Sequence, residues 1–187
     1  MPRQVIDWLI TDTHWYHNEI ITLCNRPVNH LNLLIGSCRY CIAPQDRVFH
    51  LGDVIFYKLP ELKGLMDSIP GKKFLIMGNH DSKSKGWYER NGFTFACEAM
   101  LVDDLYLTHK PVRTLPDGAR LNIHGHWHNF EPTPERSYPS WYSTKTHRLL
   151  SIEKTKYKPV QLKLFGMPIP EKSIDPLHNI PSTESAL

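Results

Sequence analysis

"LIMGNHDSK", residues 75–83, is the stretch on which the reading of this chain turns. An apolar run, Phe74, Leu75, Ile76 and Met77, stops at Gly78, and Asn79, His80 and Asp81 come next without a break. A short apolar run bounded by turn residues reads as a buried strand. Glycine, asparagine and aspartate are also ordinary turn chemistry, so a polar turn is one explanation of residues 78–81. An amide, an imidazole and a carboxylate placed side by side where a buried strand ends is equally the composition of a reaction centre. The other strand ends of the chain decide between the two.

Working outward, residues 5–11 mix apolar and β-branched side chains and read as a strand, and 18–24 and 29–43 read as helices. A second strand, "DRVFHLGD" (46–53), also stops at a glycine. Residues 59–69 place Leu59, Leu62, Leu65, Met66 and Ile69 at helical spacing, and 83–92 reads as a helix ending at Gly92. "FTFACEAMLV" (93–102) and "LYLTHKP" (105–111) flank Asp103-Asp104 and read as a hairpin, and 119–126 is a further strand. Residues 129–146, with three prolines and several aromatics, read as a long ordered loop, a lid packed on the protein's own core in preference to a base or sugar pocket. Residues 147–154 and 158–165 are expected to form a closing pair of strands. The expected organisation is one domain over 1–165 and then a proline-rich tail, 166–187. Early β-α alternation succeeded by several strands predicts an α/β sandwich, with sheets inside and helices outside.

Five of these strands end in side chains able to hold a metal. They are Asp12-Thr13-His14, Gly52-Asp53, Gly78-Asn79-His80-Asp81, Thr108-His109 and His124-Gly125-His126-Trp127-His128. On an extended chain the D-x-H and H-x-H spacings place two ligands on one side, and ligands in open α/β folds collect beyond the carboxyl ends of strands. Taken singly, the D-x-H and Gly-Asp segments are ordinary turn chemistry, Gly-Asn-His-Asp is more specific, and the paired histidines of Gly-His-Trp-His are uncommon outside metal sites. Five in succession, each at a strand end, point to a metal centre.

The remaining composition sets bounds. No apolar stretch approaches the roughly 20 residues of a membrane-spanning helix, and the opening Met-Pro-Arg-Gln lacks a signal-peptide layout, so the expectation is a cytoplasmic protein with no membrane partner. The net charge of +3 permits an anionic substrate without implying a nucleic-acid scaffold. Cys38 and Cys41 form one C-x-x-C with no second pair. They read as reduced thiols on a helix, not as a zinc site.

The series D-x-H, GD, GNHD, H, GH-x-H resembles the signature of the calcineurin-like metallophosphoesterases. "DTHWYHNEIITLCNRP", "VFHLGDVIF", "GKKFLIMGNHD", "LTHKPV", "NIHGHWHN" and "YKPVQL" are similar to a branch of small prokaryotic and viral phosphoesterases, over residues 10–162. The resemblance implies a four-layer α-β-β-α sandwich of two mixed sheets. It also implies two divalent transition-metal ions, manganese first with iron, zinc, nickel or cobalt as alternatives. One ion would take Asp12, His14, Asp53 and His128, and the other Asp53, Asn79, His109 and His126, with Asp53 shared. A hydroxide held between the ions would attack phosphorus in line. His80 would protonate the leaving oxygen or face the transition-state charge, and Asp81 would orient His80, cap the helix over 82–91, or do both.

His17 and Arg26 are candidate phosphate contacts, or a solvated loop histidine and a surface arginine. His124 is expected behind a ligand or facing substrate, and His50 in the core or behind a ligand. His30, His147 and His178 belong to no constellation. The function expected is a phosphodiesterase on a small or nucleotide-like ester. Alternatives on the same site are a phosphomonoesterase or protein phosphatase and a nuclease. An alternative of another class is a non-catalytic metal-binding interaction scaffold.

Overall fold

The computed structural model describes residues 3–133 and 136–168. His178 and the tail beyond residue 168 lie outside the described residues. Among the described residues nine strands form two sheets. The first has the order β4-β3-β2-β1-β9 and the second β5-β6-β7-β8. In the first, β1 (Asp7–Ile10), β2 (Arg47–His50), β3 (Lys72–Ile76) and β4 (Phe95–Cys97) run parallel, and β9 (Val160–Gln161) pairs antiparallel with β1. In the second, β5 (Ala99–Val102) and β6 (Leu105–Thr108) form the antiparallel hairpin, while β7 (Leu121–His124) and β8 (His147–Leu149) add in parallel.

Alternation along the strands divides the apolar residues between two cores. Trp8, Ile10, Val48 and Leu75 point one way and pack with Leu34 and Cys38 of α2 (His30–Cys41), Leu62 and Met66 of α3 (Leu62–Asp67) and Tyr88 of α4 (Lys85–Arg90). Leu9, Phe49 and Ile76 point the other way and meet Leu105, Leu107, Leu121 and Ile123 of the second sheet. A short 3-10 turn, Leu59–Glu61, leads into α3. Helix α1 (Glu19–Leu23) comes after the first strand-end loop, and α5 (Leu162–Phe165) sends Leu162 and Phe165 into the core between the sheets. No helix among the described residues is long and apolar enough to cross a membrane. All four cysteines are free thiols.

Two local expectations are corrected. The stretch 93–102 is not one hairpin arm: it breaks at Glu98, so that β4 closes the edge of the first sheet and β5 opens the second. Residues 147–154 and 158–165 do not pair with each other, because β8 joins β7 in the second sheet and β9 joins β1 in the first. In both cases two apolar stretches adjacent in sequence serve opposite layers of the sandwich.

Candidate metal centre

Parallel β1, β2 and β3, with β6 and β7 of the facing sheet, deliver their carboxyl ends to one place. The backbone there is unusual. Asp12, His14, Asp53, His126 and His128 all have positive φ, between 47° and 68°. This left-handed region costs an L-residue roughly 1–3 kcal/mol where the surroundings do not favour it, although aspartate and histidine enter it more readily than most. The D-x-H and H-x-H pairs are therefore not extended, and strand alternation does not set where their side chains point. Backbone hydrogen bonds hold the turns instead: the amides of Asp12, His14 and Trp15 donate to the carbonyls of Gly52, Asp53 and Val54 at 3.0, 3.0 and 2.9 Å.

Close approach explains the motif glycines. A Cβ on Gly52 would run into the backbone of Gly78, and one on Gly78 would run into the Asp53 carboxylate. A Cβ on Gly125 would strike Thr11 Oγ1 and Asp12 Oδ2. Three loops thus meet at a distance only glycine tolerates.

Asp12, Asp53 and His109 each have one polar atom fixed and another left pointing inward. Asp12 Oδ2 accepts from Thr11 Oγ1 (2.5 Å) and from the His126 amide (3.0 Å), leaving Oδ1. Asp53 Oδ1 accepts from the His80 amide at 2.9 Å, leaving Oδ2. His109 Nδ1 donates to the Leu51 carbonyl at 2.7 Å, which puts the lone pair on Nε2. The inward atoms fall into two groups, Asp12–His14–His128 and Asp53–His109–His126. In the first, His14 Nε2 and His128 Nε2 each lie 3.8 Å from Asp12 Oδ1. In the second, His109 Nε2 lies 3.3 Å from Asp53 Oδ2, 3.0 Å from Asn79 Oδ1 and 3.2 Å from His126 Nδ1. Asp53 Oδ2 is also 3.6 Å from His14 Nε2, so one oxygen faces both groups.

Burial and neighbouring charge set the protonation of these donors. Burial pushes the His14 imidazole down to about 3, and burial with the neighbouring His109 and Lys110 takes His126 to about 4, so both are neutral donors at ordinary pH. Burial works to raise the Asp53 carboxyl, but the His109 hydrogen bond and charge together with the His80 amide outweigh it and hold the group ionised. Burial likewise disfavours charge on His109, yet the pull of Asp53 and Asp12 raises it, a pull a metal ion at Nε2 would also feel. Asp12 Oδ1 and both ring nitrogens of His14 are buried without a hydrogen-bond partner. Buried polar atoms without partners are rare, and nitrogen and oxygen donors without sulfur suit divalent transition metals.

Not every candidate residue sits where its motif suggests. The side chain of His80 is 43 % exposed at the rim, with Nε2 4.0 Å from Asp53 Oδ2. Asp81 does not engage the His80 ring. Its carboxylate is occupied by the amides of Asp53 (2.8 Å), Val54 (3.0 Å) and Gly78 (2.8 Å), so it clamps the two ligand-bearing loops together. Nor does it cap the helix: Ser84 does, accepting from the Trp87 amide. Arg26 is buried and engaged with protein groups, not open to phosphate, because its guanidinium donates to the Asp12 and Thr13 carbonyls and to Glu153. His124 is fully buried behind its loop, with Nε2 3.0 Å from Tyr142 Oη and Nδ1 2.9 Å from the Gly125 carbonyl, and presents no edge to substrate. His17 remains at the rim. Its Nδ1 is 2.7 Å from Glu19 Oε2, and its ring lies 5.7 Å from that of His14 and stacks on Phe56 at 4.1 Å. His50 lies in the core against Thr13 Oγ1 and the Gly52 amide. His30 and His147 bond backbone carbonyls away from the two groups.

One participant, Glu153, has no signal in the sequence. Its Oε1 lies 3.4 Å from His128 Nδ1, and nothing in "SIEK" marks it for that place. Cys24 joins Glu153 and His128 in a third potential cluster. That cluster already contains its cation, the Arg26 guanidinium at 2.6 Å from Glu153. The described part of the 129–146 loop packs on itself: Phe130, Tyr138 and Tyr142 ring Trp127, and Tyr142 and Trp127 meet His124 on the outward face of β7.

A sequence model of the calcineurin-like phosphoesterases matches residues 8–182. An uncharacterized protein of Methanocaldococcus jannaschii is 30% identical over 169 residues, covering 84% of this chain and 88% of that protein. The crystal structure of a protein of unknown function from Aquifex aeolicus superposes with a TM-score of 0.67, covering 86% of this chain and 97% of that one. At 22% identity that likeness speaks for the fold.

Proposed function

The chain belongs to the calcineurin-like phosphoesterase family, a family of metal-dependent phosphoester hydrolases, and from that premise we propose that it hydrolyses a phosphodiester of nucleotide-like size at a two-ion centre. The observation that carries the proposal is Asp53 Oδ2, 3.6 Å from His14 Nε2 and 3.3 Å from His109 Nε2, a single oxygen facing two donor groups. Asp12, His14 and His128 would hold one ion, and Asn79, His109 and His126 the other. Bound there, a pair of divalent ions, manganese in the first instance, would set positive charge against the phosphate and lower the pKa of water toward neutrality.

The chain's own groups do the rest. His80, half exposed beside Asp53, can reach the leaving oxygen of an ester lying over the centre and give it a proton. His17, held through Nδ1 by Glu19, stands at the rim beside His14. Phe56 packs against His17, Tyr57 and His80, with ring centroids at 4.1, 4.9 and 5.1 Å, and Tyr57 is 52% exposed. This aromatic rim beside a charged centre favours a leaving group with a flat ring, and so a nucleotide-like ester over a phosphoprotein.

A chromogenic panel of mono- and diesters tests this, run with manganese and after chelation. The expected outcome is metal-dependent turnover of aryl and nucleoside diesters, lost in Asp53→Asn. Turnover of monoesters alone contradicts the diester preference. No turnover with any divalent ion, despite full loading, favours a binding scaffold.

A further inference from the structure

Arg26 and Glu153 form a buried ion pair 127 positions apart in the chain, with side chains 0% and 8% exposed. A buried pair is costly to assemble, and breaking one by removing a partner is costlier still, so its position calls for an explanation. The guanidinium spans two neighbours. Its Nε and Nη2 reach Glu153 Oε1 at 2.9 and 2.6 Å, while Nη2 and Nη1 donate to the carbonyls of Asp12 (2.8 Å) and Thr13 (3.2 Å). It therefore holds two successive carbonyls within the Asp12–His14 turn. Glu153 reaches a third segment. Oε1 lies 3.4 Å from His128 Nδ1, and Oε2 is fixed by Ser151 Oγ at 2.7 Å.

Glu153 is the carboxylate acceptor at His128, beside the Cys24 thiol. Arg26 Nη2 sits 3.3 Å from His128 Nδ1. When Nε2 is turned toward Asp12 as a metal donor, Nδ1 must carry the proton, and two N–H groups then face each other. An acceptor shared between them makes that arrangement favourable, and Glu153 Oε1 lies within 3.4 Å of both. His109 has no such side-chain partner, since its Nδ1 is held by the Leu51 carbonyl.

We propose that Arg26 and Glu153 are positioning residues for one of the two ions: they fix the tautomer of His128 and the Asp12–His14 turn, so that affinity at the Asp12–His14–His128 site depends on Glu153 and affinity at the other site does not. This rests on the two-ion reading of the centre. Groups that orient a ligand histidine typically change metal affinity by about 10–100-fold when removed.

Manganese titration by calorimetry, with metal content measured after desalting, tests it in three backgrounds. In the otherwise native chain, Glu153→Gln is expected to weaken one of two binding events by about 10–100-fold and leave the other unchanged. With His109→Ala, which spares the Asp12–His14–His128 site, Glu153→Gln weakens the remaining event by the same factor. With His14→Ala it has no effect. Unchanged affinity in the first two backgrounds, or equal weakening in the last two, overturns the proposal. A native chain that binds no manganese refutes the two-ion reading itself, and this inference with it. If Glu153→Gln fails to unfold cooperatively in urea, Glu153→Asp keeps the charge at shorter reach. It is expected to weaken the same single event by less, and native affinity at both sites in that variant also counts against the proposal.

Discussion

The two halves of the centre are prepared by different means. Around Asp12, His14 and His128 side chains add to the backbone bonds of the turn: Arg26 and Glu153 brace the turn and the ring, and Thr11 Oγ1 with the His126 amide holds the carboxylate. Around Asp53, Asn79 and His109 they are largely backbone: the Leu51 carbonyl sets the His109 tautomer, the His80 amide holds Asp53, and Asp81 gathers three amides from both loops. The first half leans on Glu153 at its histidine ring, the second on Asp81 at its backbone. The second depends on the integrity of the strand ends that carry it.

The largest expected effect removes the feature the halves share. Asp53→Asn should abolish hydrolysis and weaken binding at both sites, measured as turnover and as metal per chain. Native affinity at either site would show that the halves are independent. Next, His80→Ala should lower kcat by about 10²–10⁴-fold, the range for a general acid, with metal content unchanged in both halves. Unchanged kcat would remove its assigned role. Asp81→Asn should act on the backbone-built half. Losing charge-assisted bonds to buried amides should cost the metal-free protein about 2–4 kcal/mol in urea unfolding and weaken the Asp53–His109–His126 site. A change confined to the other half would reverse the comparison.

A smaller effect is expected with pH. Burial pushes His50 and His124 down to about 3, against an ordinary value of 6.5. Below 6.5 the unfolded chain binds protons that the folded chain refuses at these two positions, so their contribution to stability is complete above pH 6.5 and declines as pH falls toward 3. Urea midpoints of chelated protein should therefore fall between about pH 7 and about pH 4.5, and a flat profile would deny that these rings are buried neutral. The smallest expected change is at the rim, where Tyr57→Ala should raise KM for aryl and nucleoside esters and leave small alkyl esters unaffected.

The same contrast shows what the sequence made legible. Side chains at strand ends are set by local pattern: apolar runs stopping at Gly52, Gly78 and before Gly125 mark where parallel strands finish, and the structure gathers Asp12, His14, Asp53, Asn79, His109, His126 and His128 there. The pairing of two sheets came from the family resemblance, since apolar pattern does not divide strands between layers. What lay hidden was the identity of partners far along the chain. Arg26 and His124 looked available to substrate because exposure is a property of the fold, and each is covered by a segment remote in sequence, Glu153 and Tyr142. Asp81 looked like a partner of its neighbour His80, yet its oxygens turn to amides on another loop. The break of 93–102 at Glu98 was likewise invisible, since both halves carry the same apolar character.

Manganese loading combined with electron paramagnetic resonance examines the role of Asp53 most directly. Two ions per chain are expected, their spins coupled through a common oxygen, with the coupled signal absent in Asp53→Asn. A single ion per chain, or two that give the spectrum of isolated manganese, would contradict a shared carboxylate.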